Sequence, residues 1–345
     1  MSSTIKDVAK HAGVSIKTVS RVLNGSPLVS EKTRKLVLDV INQLDFHPSA
    51  VARTMVSRKS RTVGLVIADV SNPFFPEVVR GAEDVANVHD YNVILCNTDE
   101  KPEKERAYID LLREKQVDGI ILVGSRIDAD EVIALGRKGV RVVVVNRDIR
   151  DPRIGVIVVE NEQKGYEAVC HLMRMGHRRI AYLSGPSLSS SNAERLKGYR
   201  RAFSENCIPL DESLIVEAEP TREGGFKGMS VLLTRSPRPT AVFAYDDLQA
   251  IGAIDAIRAK GLNVPADIAI IGFDDIQLAE FTVPPLTTFR MPKYEMGQKA
   301  MEMLLGMIDS KTVRENRVVV APKMVIRDSC GYRSNPHAAV RRHRE

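Results

Sequence analysis

Two groupings of residues in this sequence have the types and the spacing for chemistry. Lys17 and Arg21 stand four apart beside Ile16, in a segment whose Val19, Val22 and Leu23 recur at helical spacing, so one helix would present both cations on its outer face. There they can donate to guanine O6 and N7, Ile16 can pack on a thymine methyl, and the hydroxyls of Ser15, Thr18 and Ser20 can bond phosphates or base edges. The alternative for this segment is a helical hairpin whose cations are merely solvated. The second grouping lies after short β-branched runs: Asp69, Ser71, Asn72, Phe74 and Phe75, then Asn97, then Ser125, then Asn146, Arg147 and Asp148. Further along come residues 187–195, Asp246 with Asp247, and Asp274 with Asp275. Ligands of open α/β sheets bind beyond the carboxyl ends of the strands. Carboxylate, amide and guanidinium groups bridge neighbouring hydroxyls, and a phenyl face packs on sugar C–H groups, so this set suits a small polyhydroxyl ligand. Each such residue taken singly can equally be a turn or a helix cap.

Enzyme chemistry finds little support. The chain has no Gly-x-x-x-x-Gly-Lys phosphate loop, no Gly-x-Gly-x-x-Gly after a strand, no Gly-x-Ser-x-Gly elbow and no His-Glu-x-x-His. No cofactor or metal is expected. His171 and His177 are six apart, a poor metal spacing, and read as surface or cap residues. Cys96, Cys170, Cys207 and Cys330 are widely spaced, which gives neither a metal pair nor a disulfide framework and predicts buried thiols.

Ile5, Val8, Ala9 and Ala12 fall at helical spacing behind Thr4 as N-cap, with Asp7 placed for a capping box. Gly13 stops that helix, Ser15 caps a second, and Ser30 caps a third whose inner stripe is Val37, Val40, Ile41 and Leu44. Helix, tight turn and capped helix form a helix-turn-helix geometry, whose second helix enters the major groove. From Thr62 strands alternate with helices. Strands are predicted at Val63 to Ala68, Val93 to Leu95, Gly119 to Val123, Val142 to Val145 and Val156 to Val159. A second series follows at Ile180 to Leu183, Leu214 to Val216, Ala241 to Ala244 and Ile268 to Ile271. Helices are predicted at Glu77 to His89, Glu103 to Lys115, Glu162 to Met175, Glu194 to Asn206 and Leu248 to Lys260. This alternation specifies parallel sheets covered on both faces, and two series breaking near Glu160 and Asn161 predict two doubly wound subdomains with a cleft between them.

The chain has 345 residues, 43% of them apolar and 27% charged, which excludes collagen-like, disulfide-scaffold and wholly disordered classes and predicts more than one domain. Residues 1–61 hold eleven Lys and Arg against four Asp and Glu, and the last fifteen hold four against one, while the stretch between is mildly acidic. A basic head on an acidic body points to a polyanion met mainly by the head. Apolar stretches such as Ile120 to Val123 fall far short of the ~20 residues of a membrane helix, and no secretory segment opens the chain. The expected location is cytoplasmic, with no membrane partner.

The segment Thr4-Ile5-Lys6-Asp7-Val8-Ala9-Lys10-His11-Ala12-Gly13-Val14-Ser15, continued by Thr18-Val19-Ser20-Arg21-Val22-Leu23-Asn24-Gly25, resembles the N-terminal signature of the lactose-repressor/purine-repressor (LacI/GalR) family of bacterial transcription regulators. The resemblance runs to about Ser329. It implies base reading by Ile16, Lys17 and Arg21 and a short hinge helix over His47 to Met55, in which Met55 holds the minor-groove wedge position usually given to Leu. The DNA contacts expected on this reading are Thr4, Ser15, Ile16, Lys17, Thr18, Ser20, Arg21, Asn24 and Ser30 in the head, with Ala50, Arg53 and Met55 in the hinge.

The body also resembles periplasmic sugar-binding proteins. Ser191 to Tyr199 matches the segment that places Arg195 on the ligand, Ile270 to Asp275 the segment whose first Asp, Asp274, is a contact, and Ser71 to Phe75 the loop closing the other side. The expected effector contacts are Asn72, Phe74, Phe75, Ser125, Asn146, Arg147, Asn192, Arg195, Asp246 and Asp274. Against the family pattern, Glu160 stands for Asp, Asp246 for the common Asn, and Pro220 where some members stack an aromatic.

The sequence therefore predicts a homodimeric, sequence-specific repressor of palindromic double-stranded operator DNA, controlled by a small molecule, a sugar or sugar derivative. Its fold would be a small all-α helix-turn-helix head (1–46), a hinge and linker (47–61), a periplasmic-binding-protein-like α/β core (62–330) and a basic mobile tail (331–345). The core has subdomains at about 62–160 and 161–290, with the chain returning after 290. Ligand contacts from both subdomains would alter their angle and so the spacing of the paired hinges. The rival readings are a small-molecule-binding protein with an accessory head and a carbohydrate-active enzyme using Asp246, Asp247 or Asp274.

Overall fold

The computed structural model describes residues 3–23, 26–46, 59–309 and 316–332. Asn24, Ala50, Arg53 and Met55, the hinge segment 47–58 and the tail from 333 lie outside the described residues. The chain forms two compact units, Met1–Ser60 and Arg61–Glu345.

The first unit follows from local chemistry. Thr4 Oγ1 accepts from the Asp7 backbone N–H at 3.4 Å, while Asp7 Oδ2 accepts from the Thr4 N–H at 2.9 Å. This reciprocal box opens α1 (Ile5–His11) and is worth about 1 kcal/mol. Gly13, at φ +62°, turns the chain; a side chain there would meet the steric cost of the left-handed region. Ser15 Oγ accepts from the Thr18 N–H at 3.1 Å and starts α2 (Ile16–Leu23). Ser30 does the same for Thr33 at 3.3 Å ahead of α3 (Glu31–Gln43). Val8, Val19, Val22, Val37, Val40 and Phe46 close one small core.

In the second unit six parallel strands make one sheet: β1 (Thr62–Ile67), β2 (Asn92–Asn97), β3 (Gly119–Val123), β4 (Val142–Val145), β5 (Ile154–Val159) and β11 (Arg317–Val320), in the order β11-β5-β4-β3-β1-β2. The second sheet holds β6 (Ile180–Ser184), β7 (Ile215–Glu217), β8 (Ala241–Ala244) and β9 (Ala269–Ile271), parallel in the order β7-β6-β8-β9. Val142 to Val145 and Ile154 to Val159 are buried throughout, as befits strands with both faces covered. In each sheet the second strand of its series lies outside the first, so the strand order reverses between β1 and β3 and between β6 and β8. Those two points, at the carboxyl ends, are where open α/β sheets take their ligands.

The chain passes between the lobes three times. It leaves the first after β5, returns through β10 (Thr288–Arg290) into α12 (Lys293–Ile308), and after β11 forms β12 (Lys323–Val325), which pairs antiparallel with β10. Helix α12 lies against α4 (Phe74–Val88) at backbone distance: a Cβ on Gly81 would sit 2.0 Å from the Tyr294 carbonyl oxygen, and one on Gly297 2.0 Å from that of Val78. Only glycine permits that approach.

Several sequence expectations need correction. The helix expected from Glu194 is α8 (Ser190–Glu205), begun earlier because Ser189 Oγ accepts from the Asn192 N–H at 3.2 Å. The strand expected at Leu214 starts one residue later, since Glu212–Leu214 forms a 3-10 turn capped by Asp211. Of the four thiols only Cys96 and Cys330 are buried; Cys170 is half-buried and Cys207 exposed, the last at φ 54° just past the end of α8. His171 is not a surface residue. It is 4% exposed, its Nε2 lies 3.4 Å from Cys330 Sγ, and burial lowers its pKa to about 4, so the ring is neutral.

Candidate functional site

On α2 the side chains of Ile16 and Lys17 are exposed, while Ser20 and Arg21 are half-buried. Thr4, Ser15 and Ser30 serve as helix caps, and Thr18 Oγ1 lies 2.9 Å from Ser15 Oγ. The outer face of α2 therefore presents Ile16 and Lys17 to solvent, with Arg21 beside them.

In the second unit the strand ends converge on a small cavity of about 30 Å³. Seven of the expected residues line it: Asn72, Phe74, Phe75, Asn146, Arg195, Asp246 and Asp274. Asn72 Oδ1 accepts from the Phe74 N–H at 3.0 Å and so opens α4, while its Nδ2 reaches across to Asp246 Oδ2 at 3.4 Å. Phe74 and Phe75 meet edge to face at 5.1 Å. Asp246 Oδ1 caps α10 (Asp247–Ala259) by accepting from the Gln249 N–H at 2.8 Å. Asn146 Oδ1 accepts from Asn161 Nδ2 at 2.9 Å.

Arg195 is 2% exposed. Its Nε donates to Asn161 Oδ1 at 3.0 Å, another guanidinium nitrogen donates to the Tyr245 carbonyl, and its Cζ lies 3.5 Å from the centre of the Phe273 ring. Two of its five N–H donors are thus engaged inside the protein, and the rest of the guanidinium lines the cavity with its charge. Asp274 has a backbone φ of 112°, a conformation that costs on the order of 1–3 kcal/mol and persists only when neighbours impose it. Lys293, at the start of α12, donates to the carbonyls of Asp274 and Asp275, each at 2.9 Å, and holds that turn.

The acids are far from their ordinary state. Burial, reinforced by Asp274 nearby, pushes Asp246 up to about 7, with the Gln249 N–H and Arg195 opposing. Burial raises Asp274 to about 6 against the pull of Arg195 and Lys293. Asp247, also buried, accepts from Thr288 Oγ1 at 2.5 Å and from the Ile276 N–H at 2.9 Å, yet burial still places it well above the usual carboxylate range.

Three expected contacts do not line the cavity. Arg147 turns to the Ile127 carbonyl. Asn192 Oδ1 accepts from the Gly185 N–H at 2.9 Å, Tyr182 at 2.8 Å and Ser184 at 3.1 Å, shaping the loop after β6. Ser125 buries its Oγ, which has no partner among the described residues; its neighbour Arg126 lines the cavity instead, after the left-handed turn at Gly124, φ 70°. Arg126 Nε donates to Glu100 at 2.5 Å, and both residues, with Tyr245, line the cavity without having been expected there, while Ser191, from the expected 187–195 stretch, lines it too. The Tyr245 hydroxyl lies 3.1 Å from Ser189 Oγ and from Ser191 Oγ. Glu100 could have been found three residues past the end of β2, whereas Tyr245 reads as the tail of an apolar run. Pro220 also lines the cavity.

Residues 4–49 match the family described as bacterial regulatory proteins, lacI family, and residues 169–330 match a periplasmic binding protein-like domain. Over 330 residues the chain is 39% identical to catabolite control protein A of Priestia megaterium, covering 95% of this chain and 99% of that protein. It is 39% identical over 329 residues to the ribose operon repressor of Haemophilus influenzae, covering 95% and 98%. A solved lac repressor dimer bound to operator and the anti-inducer ONPF superposes with a TM-score of 0.86 at 28% identity, over 96% of this chain and 99% of that one. A complex of the transcriptional regulator CelR with cellobiose gives 0.72 at 31% identity, over 95% and 99%. Identity of this extent, running through head and body alike, shows that the chain belongs to the lacI family of bacterial regulatory proteins.

Proposed function

We propose that this protein is an operator-binding transcriptional repressor, working as a homodimer in the cytoplasm, whose DNA affinity is set by a small polyhydroxyl effector in the cavity of its body. One observation carries the reading: a single chain joins a helix-turn-helix unit to a two-lobed body whose cavity draws side chains from both lobes, with Asn72 reaching Asp246 across it. A ligand touching both lobes changes their relative angle, and any difference in its affinity for the two angles is a shift in DNA affinity. The division into head (1–46), hinge and linker (47–61), core (62–330) and tail (331–345) belongs to the same proposal. So do the hinge contacts of Ala50, Arg53 and Met55. Among the described residues no helix is long and apolar enough to cross a membrane.

Selection of binding sequences from random duplexes by the full chain tests the DNA reading. Lys17→Ala or Arg21→Ala should then cost about 1–3 kcal/mol on the selected palindrome and relax preference at one position of each half-site. Equal losses on selected and random duplexes would show phosphate contact only.

The homodimer is proposed to use the segment after β9, where Leu278, Phe281 and Val283 are 51%, 72% and 66% exposed. Arg258 fixes this segment to α10 by donating to the Val283 carbonyl. Three exposed apolar groups so close together suit a covered surface better than an open one. Phe281→Glu should convert the dimer to monomer at micromolar concentration in sedimentation equilibrium while leaving the melting temperature of the body nearly unchanged. A dimer that persists in this variant rules the segment out.

A further inference from the structure

The charges around the cavity do not balance. Glu100, Asp246 and Asp274 face Arg126 and Arg195, and each arginine already has a task. Arg126 is paired with Glu100 at 2.5 Å, and Arg195 bonds Asn161 and the Tyr245 carbonyl. Asp246 and Asp274 are left with one shared arginine, at 2% and 6% exposure. Asp274 is the less satisfied of the two: among the described residues its carboxylate has no hydrogen-bond partner. Behind them the excess remains acidic, since Asp247 is buried in the same cluster and Lys293, beneath Asp274, is itself 3.4 Å from Glu77. The rings of Phe74, Phe75 and Tyr245 complete the lining, and an aromatic face attracts a cation as readily as it packs on C–H groups.

We propose that the effector is a polyhydroxyl compound carrying one protonated amine, which seats its ammonium against Asp246 and Asp274. This deepens the effector reading above and rests on it. An ammonium donates three hydrogens and brings the positive charge that two buried carboxylates lack. A phosphate monoester or a free carboxylate would add a further negative charge to a place whose two arginines already face three carboxylates. In the empty cavity a proton substitutes for the ligand's charge, since burial raises both acids toward neutrality. Binding of the amine therefore displaces protons and strengthens as pH rises from about 5 to about 8.

Small probes test this without knowledge of the full effector: 3-amino-1,2-propanediol, glycerol and glycerol 3-phosphate, each at about 100 mM and matched ionic strength, added to the full chain in thermal unfolding. At about pH 8 the amine should raise the melting temperature by about 2–4 °C over glycerol, with little gain at about pH 5 and none from the phosphate. Asp246→Asn and Asp274→Asn should each abolish the gain; the first retains the helix cap, so at least one variant folds. Equal gains from amine and glycerol, a larger gain from the phosphate, or no gain from the amine at pH 8 would each overturn the proposal while leaving a neutral or anionic effector possible. An amine gain that survives both substitutions overturns it too, by placing the probe elsewhere. Failure of the effector reading itself looks different: a ligand that binds in the cavity yet leaves the affinity for selected duplexes unchanged.

Discussion

Asp246→Asn is expected to make the body more stable at pH 8, by on the order of 3–4 kcal/mol, and to remove much of its loss of stability with rising pH. Asp246 has a folded-state pKa of about 7 against an ordinary value of 3.8. Between these values the folded form holds a proton that the unfolded chain has released, so the native state binds more protons and stability falls as pH rises. Below about pH 4 the group is protonated in both states and the wild type suffers no loss. Above about pH 7 the loss is complete. Asparagine cannot ionise, and its Oδ1 can still accept from the Gln249 N–H that opens α10, since Asn and Asp cap equally well. Asp247 and Asp274 continue to titrate in the variant, so the measured quantity is the difference between the two proteins in denaturant unfolding from pH 4 to pH 8. A difference that stays constant across that range would show that Asp246 is ionised in the native cavity throughout.

The head was legible because everything that shapes it is local. Thr4 with Asp7, Gly13, Ser15 with Thr18 and Ser30 with Thr33 each act within four residues, and the structure uses every one of them as the spacing predicts. The parallel strands of the body were legible from their unbroken apolar runs. The return of the chain was less so: β11 pairs with β5, more than 150 residues earlier, and no local pattern announces a partner at that distance. In the cavity the same division holds. Asn72, Asn146, Asp246 and Asp274 lie within five residues of their strands' carboxyl ends and could be picked out by position. Arg147 and Ser125 follow strands too, but each comes just after a residue of positive φ, Asn146 at 65° and Gly124 at 70°, and these turns, which spacing does not show, go with Asn146 and Arg126 lining the cavity instead. Resemblance rather than periodicity singled out Arg195, and neither revealed that two of its donors are held by Asn161 and the Tyr245 carbonyl.

That engagement makes the expected effect of Arg195→Ala larger than the loss of a ligand contact. Removing a buried guanidinium costs the bond to Asn161, the bond to the Tyr245 carbonyl and the cation–π contact with Phe273, and it leaves Asp246 and Asp274 without their shared positive neighbour. Breaking a buried charge arrangement from one side typically costs about 3–5 kcal/mol, because the remaining charge is left uncompensated. Here the uncompensated partners can take up protons, which sets the pH dependence. At pH 8, where the wild-type carboxyls are largely ionised, the full loss should appear. Near pH 5 both are mostly protonated, Arg195 has little charge to neutralise, and the loss should shrink toward that of packing and hydrogen bonds alone. Arg195→Met, which can still cover the Phe273 ring, separates the two contributions: it should recover much of the loss at pH 5 and little at pH 8. Both variants should also lose the response of DNA binding to effector. Losses that are equal at the two pH values would mean that Arg195 acts through packing alone, and a normal effector response in Arg195→Ala would remove this cavity from the regulatory mechanism.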